Sequence, residues 1–307
     1  MALLPLLCVV LLVAAIGVGT SVSRSAPPSR EVAVAAARRH ARLAATTAWA
    51  VGSLAAAATG VAGRLSDQSA GVTAVEVPLA FGIAHVVVLL AGELSWPQPD
   101  GAVRRARLHR RGALENAARW HLVAGAVGLV LAAVTIGVGA VTADDGQDFL
   151  MTGAGGRILS WGSPFAGWYY GAPAALGLAA LAVTALVTLW VVAQRSAVAT
   201  DDETAETALR RASAHRVLRV TDAVVLFVTG GLMHVSGNAV HSAAASTIDS
   251  AAANGLAVGD APRVLSALGQ GIGPAGLFLA LAGLVVLVVP PPAVPAARPG
   301  APAPVRS

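Results

Sequence analysis

No lysine occurs in the 307 residues, and all 21 basic side chains are arginines. A seven-helix bundle that binds retinal needs a lysine for its Schiff base, so that chemistry is excluded. Charge of either sign is scarce: 12% of residues are charged and 56% hydrophobic, against roughly 25% charged in an ordinary soluble domain. A water-soluble fold of this length would lack the polar surface to cover itself. The single cysteine, Cys8, excludes an intrachain disulfide and a cysteine-rich metal site. It is not a lipoprotein cysteine either, because Leu6 and Leu7 stand where small residues are needed. The chain contains no GxSxG, HExxH, P-loop or dinucleotide fingerprint.

What the sequence does have is long apolar runs, with a mean hydropathy of +0.70. A hydrocarbon core about 30 Å thick is crossed by about 20 helical residues rising ~1.5 Å each. Hydropathy predicts spans at about 2–20, 43–62, 72–92, 120–142, 168–192, 217–236 and 265–289. The expected fold is an all-α polytopic transmembrane bundle forming one domain over 1–289, followed by a disordered proline-rich tail over 290–307.

Arginine placement orients the bundle. With seven spans, one side carries the arginines of segments 21–42, 93–119, 193–219 and the tail; the other carries only Arg64, Arg157 and Arg263. Arginine-rich short loops stay in the cytoplasm, so the amino terminus is expected outside and the carboxyl terminus inside. Without the second span, Arg24, Arg30, Arg38, Arg39 and Arg42 would fall outside. The run at 2–20 lacks a basic leader and is expected to remain as an uncleaved helix. The net charge of +5 therefore reports topology and not nucleic-acid binding; the partners it implies are the bilayer and anionic lipid headgroups, notably at RRARLHRR (104–111). Plasma membrane is the expected location.

Within the arginine-rich connector 193–219, Thr200 and Glu203 read as a capping box that opens a surface helix leading into the sixth span. Lipid supplies no hydrophobic incentive for helices to associate, so small residues should mark contact faces. Candidate rows are Ala124, Gly128 and Ala132, and Gly171, Ala175 and Ala179. GQGIGPAG (269–276) suggests a flexible break near the outer end of the last span, read as a plain kink in preference to a hinge or cavity lining. Trp161, Trp168, Tyr169 and Tyr170 should form an outer aromatic belt, with Trp96, Trp120 and Trp190 at the inner interface.

Ionisable side chains inside spans cost about 2.5–3.5 kcal/mol or more and mark candidate sites. Glu76 and His234 share a depth in the outer half, which predicts a polar cluster with Gln270. Secondary candidates are His85, expected to hydrogen-bond a neighbouring helix as a neutral ring, and Asp222, expected to pair locally with Arg216 or Arg219. A bis-histidine haem is not expected, because His85, His121 and His234 fall at different depths on the helical scale. Asp144, Asp145 and Asp148 read as a solvated acidic loop, so neither metal nor cofactor is expected.

The run GWYYGAP at a helix start and the arginine-only basic loops resemble those of uncharacterised multi-pass membrane proteins of actinobacteria. That resemblance implies a membrane bundle and carries no activity. The function expected is a non-catalytic scaffold or accessory subunit. The alternatives are a small-solute or proton-coupled transporter built on Glu76 and His234, and an intramembrane enzyme.

Overall fold

A computed structural model describes residues 32–96, 112–196 and 203–292. They form six long helices: α1 (Val32–Leu65), α2 (Ala70–Leu94), α3 (Arg119–Thr142), α4 (Trp168–Gln194), α5 (Glu203–Ala253) and α6 (Asp260–Val288). Each is long and apolar enough to cross a bilayer. The run at 2–20, the arginine segment 104–111, the start of the capping box and the tail from 293 lie outside the described residues.

Side-chain contacts show the helices alternating in direction. Ala44 of α1 faces Gly92 of α2 while Gly63 faces Thr73, so those two are antiparallel. His121 of α3 meets Asp222 of α5, and Gly128 meets Val225 and Thr229, so those two are parallel. One end of the bundle consequently gathers the start of α1, the end of α2, the starts of α3 and α5, and the ends of α4 and α6. Arg38, Arg39, Arg42, Arg119, Arg195, Arg210, Arg211, Arg216 and Arg219 belong to that end, and Arg64, Arg157 and Arg263 to the other.

The surface helix and the sixth span expected separately are one helix, α5, of 51 residues. At ~1.5 Å per residue it is about 75 Å long and outreaches a bilayer core. Its first half lies inside the bundle, not on the surface: Glu206, Leu209, Arg210, Ser213, Val217, Val220 and Val225 are all buried. A helix buried on all sides is the axis around which others pack.

α6 lies against α5 along a seam of glycines. Its buried positions are Gly269, Gly273, Gly276, Ala280, Gly283 and Leu287, alternating by four and three residues, the repeat of two helices that run side by side over many turns. The opposing backbone is as close as glycine permits. A Cβ on Gly283 would stand 2.6 Å from the Ala223 carbonyl oxygen, and one on Gly276 would stand 2.6 Å from that of Gly230. The expected break at GQGIGPAG is therefore corrected: α6 continues through it, Pro274 included, and the glycines serve contact. Rings tie the same seam, with His234 Nδ1 donating to the Gly273 carbonyl (3.0 Å) and His241 Nδ1 lying 3.0 Å from Ser266 Oγ.

The row predicted on α3 is partly met, since Gly128 and Ala132 are buried. On α4 the contact face is Gly171, Ala174, Leu178, Leu181 and Ala185, whereas Ala175 and Ala179 point outward. Of the aromatic residues, Trp120, Trp161, Trp168, Tyr169 and Trp190 are exposed as a belt requires, while Trp96 and Tyr170 are packed inside.

Between α3 and α4 the chain forms an antiparallel hairpin, β1 (Phe149–Thr152) with β2 (Ile158–Gly162), which the all-helical expectation does not include. It lies on the distal half of α5: Ser160 Oγ donates to the Ala243 carbonyl (2.6 Å) and lies 2.6 Å from Thr247 Oγ1, and the Ala166 N–H donates to Ser236 Oγ (3.0 Å). The loop thus braces α5 beyond the spanning region.

Because backbone faces backbone at the seam, a side chain at Gly276 would meet the His234 backbone nitrogen and the Gly230 carbonyl oxygen, which cannot swing aside. Overpacking typically costs about 1–3 kcal/mol and more where the backbone must move. Thermal unfolding of the detergent-solubilised protein is expected to show a markedly lower midpoint for Gly276→Leu than for Ala275→Leu, whose site is exposed beside the buried row.

Candidate functional site

The arginine-rich end of the bundle holds a connected set of buried polar groups. On α5, His215, Arg219 and Asp222 stand at i, i+4 and i+7, which places them on one helix face. His121 enters that face from the first turn of α3. Gly125 lies one turn further on, and a Cβ there would be 2.7 Å from Asp222 Oδ1. Glycine at 125 is what lets the two helices close over the carboxylate.

The result is a chain of hydrogen bonds across three helices. His121 Nδ1 is 2.5 Å from Asp222 Oδ2, and His121 Nε2 is 3.0 Å from His215 Nδ1. His215 Nε2 is 3.4 Å from the carbonyl oxygen of Val289, the residue that caps the end of α6. Arg219 Nη1 donates to the same carbonyl at 3.0 Å. His121 is fully buried and Asp222 is 1% exposed. Trp120 stacks on His121 with ring centroids 3.5 Å apart.

Asp222 therefore does not pair with Arg216 or Arg219 as its spacing suggests. Arg219 points to the end of α6, and the partner of Asp222 comes from another helix. His85 also departs from expectation. It is buried, but its Nδ1 makes no hydrogen bond among the described residues. The ring instead stands edge-on to Trp49 of α1 at 5.2 Å and tilts against Phe81. The Arg219 guanidinium lies 6.0 Å from the Trp49 ring, so Arg219 joins the two groups.

Nearer the bundle end lies a second cluster. α4 stops at Gln194, and Arg210 of α5 closes it by donating to the Ala193 and Arg195 carbonyl oxygens at 2.9 and 2.8 Å. Terminal carbonyls of a helix lack intrahelical partners, and an arginine is well suited to them. Arg210 also pairs with Glu206 at 2.7 Å. Arg195 pairs with Glu93 of α2 at 2.9 Å and lies 3.7 Å over the Trp96 ring. His40 Nε2 donates to the Gly92 carbonyl at 2.8 Å, which holds α1 to the same corner. Burial lowers the affinity of Arg195 for its proton and the Glu93 carboxylate opposes that shift, so the guanidinium stays cationic at physiological pH.

The three residues expected as an outer cluster are not joined to one another by any hydrogen bond or ion pair among the described residues. His234 accepts from Asn238 Nδ2 (3.2 Å) and donates to Gly273, which satisfies a single neutral tautomer. Gln270 is exposed on α6, and Glu76 is half-buried on α2, a helix that packs on α1, α4 and α5. Depth counting misses the inner cluster because it puts His121 about 15 Å and Asp222 about 7 Å from the midplane on an ideal helical scale. The usable signal is the polar face His215, Arg219 and Asp222 in a helix otherwise built for burial. Among the described residues no group of three or more His, Cys, Asp or Glu is placed to hold a metal ion.

Comparison with family models, with curated proteins and with solved structures finds no match.

The Glu93 and Arg195 side chains are both buried, so deleting one leaves the other charge uncompensated, at a typical cost of about 3–5 kcal/mol. Glu93→Ala is expected to lower the thermal midpoint sharply, and Glu93→Ala/Arg195→Met to recover most of that loss. The four-cornered cycle of unfolding measurements checks it.

Proposed function

We propose that this chain is a seven-span protein of the plasma membrane, in which residues 2–20 add a helix before the six described, with the amino terminus outside and the carboxyl terminus in the cytoplasm. Its arginine-rich connectors meet anionic headgroups on the cytoplasmic face. We propose further that it acts as a non-catalytic scaffold or accessory subunit. The observation that carries this reading is how the buried charges are used: Glu93 reaches Arg195, Asp222 reaches His121, and Arg210 reaches the end of α4. Each contact fastens one helix to another, as a rigid membrane platform requires.

A second reading, proton-coupled transport, draws support from the unbroken row Asp222, His121, His215, because intramembrane carboxylates and imidazoles are the usual carriers of protons. In that case Glu76 and His234 would supply the outer half of the path.

Reporter fusions after residues 30, 68, 110, 150, 205, 250 and 300 are expected to alternate, beginning inside at 30 and ending inside at 300. An exterior signal at 300 would overturn the seven-span topology. Proteoliposomes carrying a pH-sensitive dye separate the two functional readings. The scaffold reading expects an imposed proton gradient to decay at the rate of empty vesicles. Faster decay in the wild type, abolished in Glu76→Gln or Asp222→Asn, would establish transport instead.

A further inference from the structure

The hydrogen-bonded row from Asp222 to Val289 has a property that pairwise ion pairs lack: its bonds can all be made at once only for one count of protons. The Val289 carbonyl can only accept, so the bond to it requires a proton on His215 Nε2. A neutral His215 with its proton on Nε2 has a bare Nδ1, which must accept from His121 Nε2–H. The proton between His121 Nδ1 and Asp222 then completes the row. Three protons are thus shared by one carboxyl and two imidazoles, in total a carboxylate, an imidazolium and a neutral ring. The set as a whole carries no net charge.

Removal of one proton cannot leave that arrangement standing. With Asp222 ionised and His121 neutral, the one remaining His121 proton stays on Nδ1, facing the carboxylate. His121 Nε2 becomes an acceptor, His215 must turn its own proton to Nδ1 to meet it, and His215 Nε2 is left bare against the Val289 oxygen. Two acceptors then face each other where a bond had been.

We propose that the His121–Asp222–His215 row is a proton-binding site, and that loss of its one exchangeable proton reverses the hydrogen bond between the two imidazoles and releases the end of α6 from His215. The ligand is a single proton, and the element that responds is the carboxyl-terminal end of α6, from which the proline-rich segment starting at Pro290 departs.

The surroundings fit a poised site. Asp222 is bonded to His121, and Arg216 and Arg219 are the cations of α5 next to His215. α3 contributes the Trp120 ring and His121 itself. α6 contributes only a backbone carbonyl, since no ionisable residue occurs between Arg263 and Val289. From α2, His85 lies beside Arg219 and Glu93 lies beside Arg216, and α1 presents the neutral Trp49. After deprotonation Val289 keeps its bond from Arg219 (3.0 Å). The end of α6 is therefore loosened and not expelled.

Trp120 provides a reporter, since an imidazolium stacked on an indole quenches its emission more strongly than a neutral imidazole does. The full chain in phosphatidylcholine nanodiscs is expected to brighten as pH rises, through one transition with a one-proton slope, and Trp120→Phe should remove that component. His121→Gln should abolish it. Asp222→Asn should move it at least one pH unit lower, because an adjacent opposite charge ordinarily shifts a titration by about 1–3 units. Hydrogen–deuterium exchange at 286–289, corrected for the intrinsic effect of pH, should quicken severalfold across the same transition. His215→Gln should remove that acceleration while leaving the Trp120 titration in place. A flat emission profile between pH 4 and 10 would overturn the proposal, as would a transition that survives His121→Gln or exchange at 286–289 that ignores pH. Should His121→Gln fail to fold, the wild type against Trp120→Phe and His215→Gln still decides the matter.

Discussion

The close contact of α5 with α6 sets the geometry of the whole bundle. Helices in lipid gain little from burying apolar surface against one another, so what holds them is dispersion at short range and hydrogen bonds that cross between them. Both are concentrated on α5. Its Ala223 and Gly230 carbonyls rest where a side chain on Gly283 or Gly276 would stand, and its His234 and His241 rings bond α6 through Gly273 and Ser266. With α6 fixed against one face, the remaining faces of α5 are offered to α2, α3 and α4.

That arrangement explains why charge is found so far inside a chain with so little of it. A central helix that must also lead out of the membrane at both ends carries polar residues through the interior, and each needs a partner on another helix. Arg210 finds the free carbonyls at the end of α4, Asp222 finds His121, and Arg219 finds the end of α6. Such bonds contribute specificity more than affinity. Apolar faces can slide over one another in lipid, whereas Asp222 meets His121 only when α3 and α5 are in one register.

Much of this architecture is legible in the chain before folding. Five runs identified by hydropathy coincide with α1, α2, α3, α4 and α6 apart from their ends, and the division of the arginines between the two ends of the bundle follows from counting spans. The failures have specific causes. Hydropathy cuts α5 into a surface helix and a short span because Glu203, Glu206 and four arginines depress it over the first turns, yet the buried ones among them, Glu206, Arg210 and Arg219, are held inside the protein. A spacing of four from Gly171 misreads the α4 contact row; the real face advances by three and then four, through Ala174 and Leu178, and so leaves Ala175 outside. The hairpin at 149–162 is invisible to hydropathy because it is tied to α5, through Ser160 with Ala243 and Thr247.

The candidate site escapes sequence reading for a different reason, which bears on how intramembrane residues are read. Depth along an ideal helix assumes that every span is centred on the bilayer, but α3 begins at Arg119 and puts His121 in its first turn, while α5 starts some fourteen residues before the span expected for it. Two helices displaced along their axes bring together residues whose nominal depths differ by about 8 Å. Partners inside a bundle are better sought by face than by depth. The polar stripe at His215, Arg219 and Asp222 must turn toward something that accepts it, and Gly125, with no side chain of its own one turn after a histidine, marks the neighbouring surface that makes room.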